Sequence, residues 1–211
     1  MPVGERQADH AATAFPTKCA SCEALLQVPS SCEDCHQLLA HVQGADYFEV
    51  FGQPRRYEVD LAALEEKYLA ISRNIHPDKY AVAGPEMQAF ALRASAAVNQ
   101  AYDVLRDPIH RAEYLLESAG GPSATQNKQV PPDMLGQVMT LREGIDEAKA
   151  ANDQDVLLEA IRDRLVAQRR GIEKRIAALC RDLDAAGEAT KNELRVQLNA
   201  MKYVANLLGH I

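Results

Sequence analysis

The residue types with the most chemical reach in this chain are four cysteines and one tripeptide. Cys19-x-x-Cys22 and Cys32-x-x-Cys35 place two thiol pairs on short loops, separated by residues 23–31. Four soft ligands at such spacings suit a tetrahedral Zn²⁺ with no coordination position left open, which is a structural rather than a catalytic site. The loop between the pairs is shorter than in a usual zinc ribbon, so on spacing alone a disulfide pair or an iron–sulfur site competes with zinc, and His36 and His41 stand nearby as spare ligands. The fifth cysteine, Cys180, follows Leu179 on an apolar stripe and reads as a small buried hydrophobe. His76-Pro77-Asp78 is the tripeptide, and as an isolated string it is no more than a turn that ends a helix.

The elements around these residues follow from periodicity. Asp60 is a good N-cap, and Leu61, Leu64, Tyr68, Ile71 and Ile75 recur at helical spacing. Pro77 forces the residue before it out of the helical region, so the helix stops near His76 and residues 76–78 fall in an exposed loop. Pro85 suits the first position of a second helix, whose expected buried face is Phe90, Ala94, Ala97, Ala101 and Val104 and which runs to Pro108. The loop is thus bracketed by two antiparallel helices. Residues 118–132, SAGGPSATQNKQVPP, have the Gly, Pro and Ser content of a linker. Beyond them three apolar stripes predict three antiparallel helices: Met134, Val138, Leu141, Ile145 and Ala148; then Leu157, Ile161, Leu165, Ile172, Ile176 and Leu179; then Leu194, Leu198, Met201, Ala205 and Leu208.

Composition sets the outer limits. With 211 residues, 47% hydrophobic and 25% charged, the chain is a folded protein, and with no Trp and 4 Phe its core must be aliphatic. A net charge of −7, with neither side of residue 130 basic, disfavours nucleic acid. No window reaches the roughly 20 apolar residues of a membrane span, so no membrane association is expected. The first ten residues have no apolar core, and Glu5 and Asp9 beside Arg6 make a poor transit peptide. The cytoplasm is the expected compartment and the mitochondrial matrix the alternative. Nothing alternates with a period of two for long enough to require a sheet, so the expected fold is all-α with a small N-terminal zinc knuckle.

The order of three segments carries a family resemblance. DYFEVFG at residues 46–52, the His76-Pro77-Asp78 loop between two helices, and NQAYDVLRDP at residues 99–108 stand where a J-domain carries its corresponding segments, and RDPIHRAEYLL at 106–116 is similar to the HscB type, co-chaperones of iron–sulfur cluster assembly. The resemblance covers residues 46 to about 209. It implies a J-domain helical hairpin over 46–117 and a scaffold-binding three-helix bundle over 133–211, on either side of the linker over 118–132. Residues 1–18 show no periodicity and read as a flexible arm, and the four-cysteine module over 19–41 is similar to that of the eukaryotic members.

By that resemblance His76, Pro77 and Asp78 would engage a DnaK-class or HscA-class chaperone and stimulate its ATPase, with Lys67, Arg73 and Lys79 supplying a basic face. The rigid proline loop would present the Asp78 carboxylate for a charge-assisted hydrogen bond to a partner arginine. The chain itself would be no enzyme.

Helix geometry supplies a second surface. Taking the stripe from Met134 to Ala148 as the core direction, Leu135, Met139, Glu143 and Glu147 fall at about 100, 140, 180 and 220° from it, and Tyr203 falls about 180° from the stripe of the last helix. The resemblance makes these the binding positions for an IscU-type iron–sulfur scaffold protein. Gly136 and Thr140 depart from the family pattern, in which an apolar residue and an acid are common. A general J-protein for unfolded clients is the rival among binding proteins. A thiol oxidoreductase using the Cys-x-x-Cys pairs is the rival among enzymes, and lacks the strand pattern that such enzymes need.

Overall fold

A computed structural model describes residues 17–211. The expected arm over 1–18 lies outside these residues except for its last two. Among the described residues the chain is helical, with seven α-helices, three short 3₁₀ turns and two isolated β-bridges. It divides into two compact units, residues 17–55 with 59–107 and residues 56–58 with 108–211.

In the first unit the cysteine segment leads into a short helix α1 (Tyr47–Val50), fixed by a capping box in which Asp46 accepts from Phe48 N–H and Glu49 accepts from Asp46 N–H. Helix α2 (Leu61–Ile75) starts at Asp60, whose carboxylate accepts from the N–H groups of Ala62 and Ala63. Helix α3 (Pro85–Arg106) packs against both. The core joins Phe48, Phe51, Leu64, Ile71 and Ile75 to a face of α3 made by Ala91, Ala94, Val98, Ala101 and Leu105. That face is offset from the expected one. Ala94 and Ala101 are shared, but Phe90, Ala97 and Val104 lie half-buried on its flank, a row seven residues apart that runs one position beside the true stripe. Leu61, expected on the buried stripe of α2, is half-exposed at the first helical position, ahead of Leu64.

The second unit holds α4 (Pro108–Ser118), α5 (Met134–Ala150), α6 (Gln154–Leu179) and α7 (Glu188–Leu208). The stripe from Met134 to Ala148 is buried in full. On α6 it is Leu158, not Leu157, that turns inward, and on α7 the face is completed by Val204 and Leu207 rather than Ala205 and Leu208. Helix α7 is covered by α4, α5 and α6, so its buried face is broader than a single stripe.

The division between the units falls at residue 107, not in the expected linker. Helix α4 buries Ala112, Leu115 and Leu116 and packs on α7. The segment after it is tied along α7: Lys191 Nζ donates to Ala119 O (2.6 Å), and Asn199 Nδ2 donates to Asn127 O (3.0 Å) and Gln129 O (2.8 Å). Cys180 is buried, as its sequence setting suggests. No helix among the described residues is long and apolar enough to cross a membrane.

Candidate functional site

Pro77 shapes the loop at the end of α2. Having no N–H, it leaves the last turn of the helix short of a donor, and two side chains cap the exposed carbonyls instead: Ser95 Oγ of α3 donates to Ile75 O (3.3 Å) and the Tyr80 hydroxyl to Asn74 O (3.1 Å). Residues Pro77–Tyr80 then form a 3₁₀ turn for which His76 is the N-cap. His76 Nδ1 accepts from Asp78 N–H (3.3 Å), so the neutral ring carries its proton on Nε2. The side chains of His76 and Asp78 are 57% and 89% exposed, with Nδ1 and the carboxylate 3.6 Å apart. A histidine and a carboxylate are therefore held on an ordered turn with their polar atoms open to a partner.

The expected basic face is only partly available. Arg73 and Lys79 are exposed beside the turn. Lys67 is committed elsewhere: its Nζ donates to Phe51 O (2.8 Å) and Gly52 O (3.3 Å), capping the carbonyl end of α1.

The four cysteines converge. Their sulfur atoms all lie within 4.8 Å of one another, with Cys19–Cys35 and Cys22–Cys32 each at 3.6 Å. A disulfide requires about 2.05 Å, whereas four sulfurs about 2.3 Å from a common tetrahedral centre stand about 3.8 Å apart. The donor set and its spacing thus fit a metal ion and do not form disulfides; His36 and His41 are not among the converging donors. Cys19 and Cys32 are buried and Cys22 and Cys35 exposed. The Ser21 N–H, 3.4 Å from its sulfur, brings the Cys19 thiol down to about 7. At Cys22 the Ala24 N–H favours the thiolate, but the neighbouring Cys35 thiol and desolvation outweigh it and push the group up to about 12. Four thiolates this close need a cation between them.

The module is a repeat that the sequence reading missed. Cys19 N–H donates to Ala24 O and Glu23 N–H to Cys19 O; thirteen residues on, Cys32 N–H donates to Gln37 O and His36 N–H to Cys32 O. The bridges Lys18–Leu25 and Ser31–Leu38 follow the same shift. Glu23 and His36 occupy equivalent left-handed positions, with φ of 61° and 59°. The signal was present as C-x-x-C-x-x-L-L at 19–26 and again at 32–39. Leu26, Cys19 and Cys32 with Ala24 and Leu39 make the small core between the halves.

On the second unit Leu135 and Met139 are 53% and 65% exposed on α5, and Glu143 and Glu147 continue the same face. Gly136 has open space where a Cβ would stand, and Thr140 Oγ1 donates back to Gly136 O (3.1 Å). Tyr203, expected on an outer face, is only partly exposed. It is packed against the core cluster of the second unit, because α7 is enclosed on more sides than one stripe implies.

A cysteine knuckle, a helical hairpin presenting His-Pro-Asp, and a helical bundle define the class of J-domain co-chaperones with a C-terminal helical unit. Comparison with known proteins narrows this. Residues 130–211 match the family described as the HSCB C-terminal oligomerisation domain. The co-chaperone protein HscB homologue of Bordetella petrii is 36% identical over 164 residues, covering 76% of this chain and 95% of its own. Chaperone HscB from Vibrio cholerae has a similar structure, with a TM-score of 0.66 and 30% identity over 78% of this chain and 93% of that one. Human co-chaperone protein HscB matches with a TM-score of 0.68 and 24% identity over 90% of this chain and 93% of that one, a share of this chain too large to lie wholly within residues 46–211. The chain belongs to the HscB family of co-chaperones, which are not enzymes.

Proposed function

We propose that this protein stimulates the ATPase of a DnaK-class or HscA-class chaperone through His76, Pro77 and Asp78 and delivers to it an IscU-type iron–sulfur scaffold protein held on α5. The observation that carries the reading is the ordered 3₁₀ turn of residues 77–80, whose His76 and Asp78 side chains are exposed within a member of a co-chaperone family. Arg73 and Lys79 add positive charge beside the turn, and Lys67 contributes charge while its donors stay on α1. Asp78 offers a carboxylate to a cation on the chaperone, and Pro77 keeps that carboxylate from being drawn into the helix.

Leu135 and Met139 supply the apolar part of the scaffold surface and Glu143 and Glu147 its charged margin; Tyr203, partly exposed, is its aromatic member. Zinc is the ion assigned to Cys19, Cys22, Cys32 and Cys35, with a structural role, since four thiolates leave no open position. The cytoplasm is the proposed compartment, with the mitochondrial matrix as the alternative.

The test is the steady-state ATPase of a cognate chaperone and scaffold with wild-type protein or the His76→Gln variant. Stimulation by wild type that is lost in the variant supports the reading. Equal rates with the two proteins, whether both stimulate or neither does, reject it.

A further inference from the structure

The Tyr80 hydroxyl stands between two parts of the first unit. It lies 3.1 Å from Asn74 O at the end of α2 and 3.4 Å from His36 O in the cysteine module. One hydroxyl proton serves two carbonyls, so Tyr80 pins the 3₁₀ turn to whichever acceptors are in place. The position of His36 O is set by the knuckle. His36 directly follows Cys35, its N–H donates to Cys32 O, and its φ of 59° is a conformation that a side-chain-bearing residue holds only when its surroundings require it. The module has too little apolar core, chiefly Cys19, Leu26 and Cys32, to enforce that conformation without a metal ion.

We propose that Tyr80 is a positioning residue that ties the His76-Pro77-Asp78 turn to the metal-binding knuckle, so that metal occupancy governs the order of the turn. Burial of the Tyr80 hydroxyl, which raises its pKa by desolvation, agrees with a structural hydrogen bond at this place. With the metal bound, His36 O is fixed and the turn has a second anchor besides Asn74 O. With the metal gone, the left-handed residue relaxes and only the α2 anchor remains. The inference rests on the proposed function for its biological meaning, but the coupling itself is a property of the isolated protein.

The experiment is amide hydrogen exchange on the full chain, metal-loaded and after treatment with a chelator, for wild type, Tyr80→Phe and His36→Gly. Metal removal should speed exchange of residues 76–83 several-fold in wild type, while α3 keeps its protection. Metal-loaded Tyr80→Phe should already show the faster exchange and change no further on stripping. His36→Gly, which keeps the carbonyl and adopts positive φ without strain, should behave as wild type when metal-loaded and lose less protection at 76–83 on stripping. Unchanged exchange at 76–83 when residues 30–39 have lost protection would overturn the proposal, as would loss of protection throughout α3 or fast exchange at 76–83 in metal-loaded His36→Gly. Chaperone ATPase measured on the same samples separates the two readings. Coupled exchange without stimulation by wild type rejects the proposed function alone, whereas stimulation without coupled exchange rejects this inference alone.

Discussion

Arg195 is fully buried on α7, and its Nη1 donates to Glu113 of α4 at 3.3 Å while Nε and Nη2 find no acceptor. Glu113 also meets Lys202 Nζ at 2.9 Å, so one carboxylate balances two cations. Removing the carboxylate leaves a buried guanidinium uncompensated, and removing the guanidinium does not. Glu113→Ala should therefore destabilise the protein by about 3 kcal/mol, whereas Arg195→Met should fall within about 1 kcal/mol of wild type or exceed it, as read by urea unfolding followed by circular dichroism. A milder effect of Glu113→Ala than of Arg195→Met would contradict this account.

Tyr57 and Cys180, also in the second unit, report through pH. Burial pushes the Tyr57 phenol up to about 12 against the opposing pull of Arg111, whose guanidinium lies 5.2 Å from the ring centre. Burial and then Glu58 push the Cys180 thiol from 9.0 to about 12. In both, the folded state holds its proton more tightly than the unfolded chain, so their contribution is complete below pH of about 9 and declines as pH rises toward 12. The urea midpoint should fall between pH 9 and 11, and Tyr57→Phe should flatten that fall above pH 10.

Among the elements, α5 is where sequence and structure agree best, and the reason is its neighbours. It contacts only α6 and α7 among the main packing partners, so one stripe of Met134, Val138, Leu141, Ile145 and Ala148 accounts for its whole buried face and fixes which residues point away. The exposed Leu135 and Met139 were readable for that cause. Their replacement by Ala should leave stability within about 0.5 kcal/mol, while Leu141→Ala, at the core, should cost about 3 kcal/mol. Gly136→Ala should add about 0.5 to 1 kcal/mol, since its Cβ meets nothing and glycine is a poor helix former. Thermal melts of the set check both signs, and pull-down of the scaffold checks that only the exposed pair affects binding.

Helix α7 defeated the same reasoning. Enclosed by three helices, it buries Arg195 and Asn199 beside Leu198 and Val204, so no single stripe describes it, and Tyr203, opposite the expected stripe, is partly buried. On α3 the apolar alanines offer two overlapping registers, and the approach of α1 and α2 selects between them. The Lys67 contact joins residues far apart in the chain, and no spacing rule could show that its amine is spent on Phe51 and Gly52. The metal-ligand set and the His-Pro-Asp turn were legible because each is defined by local chemistry: thiol spacing in one, the missing proline N–H in the other.

At the scale of the whole molecule, the unexpected feature is the stretch 118–132. Its composition is that of a spacer, yet Lys191 and Asn199 hold its carbonyls and Gly121 sits so close to Leu116 that a Cβ there would meet the leucine side chain at 2.2 Å. Gly121→Ala should accordingly disturb the α4 end, lowering the melting temperature by several degrees, an effect that a free spacer would not show. A protease needs several residues of backbone that can leave the surface and enter its cleft. Here the loosest-looking part of the chain is a strap lashed to a helix, and scissors guided by composition would find nothing there to grip.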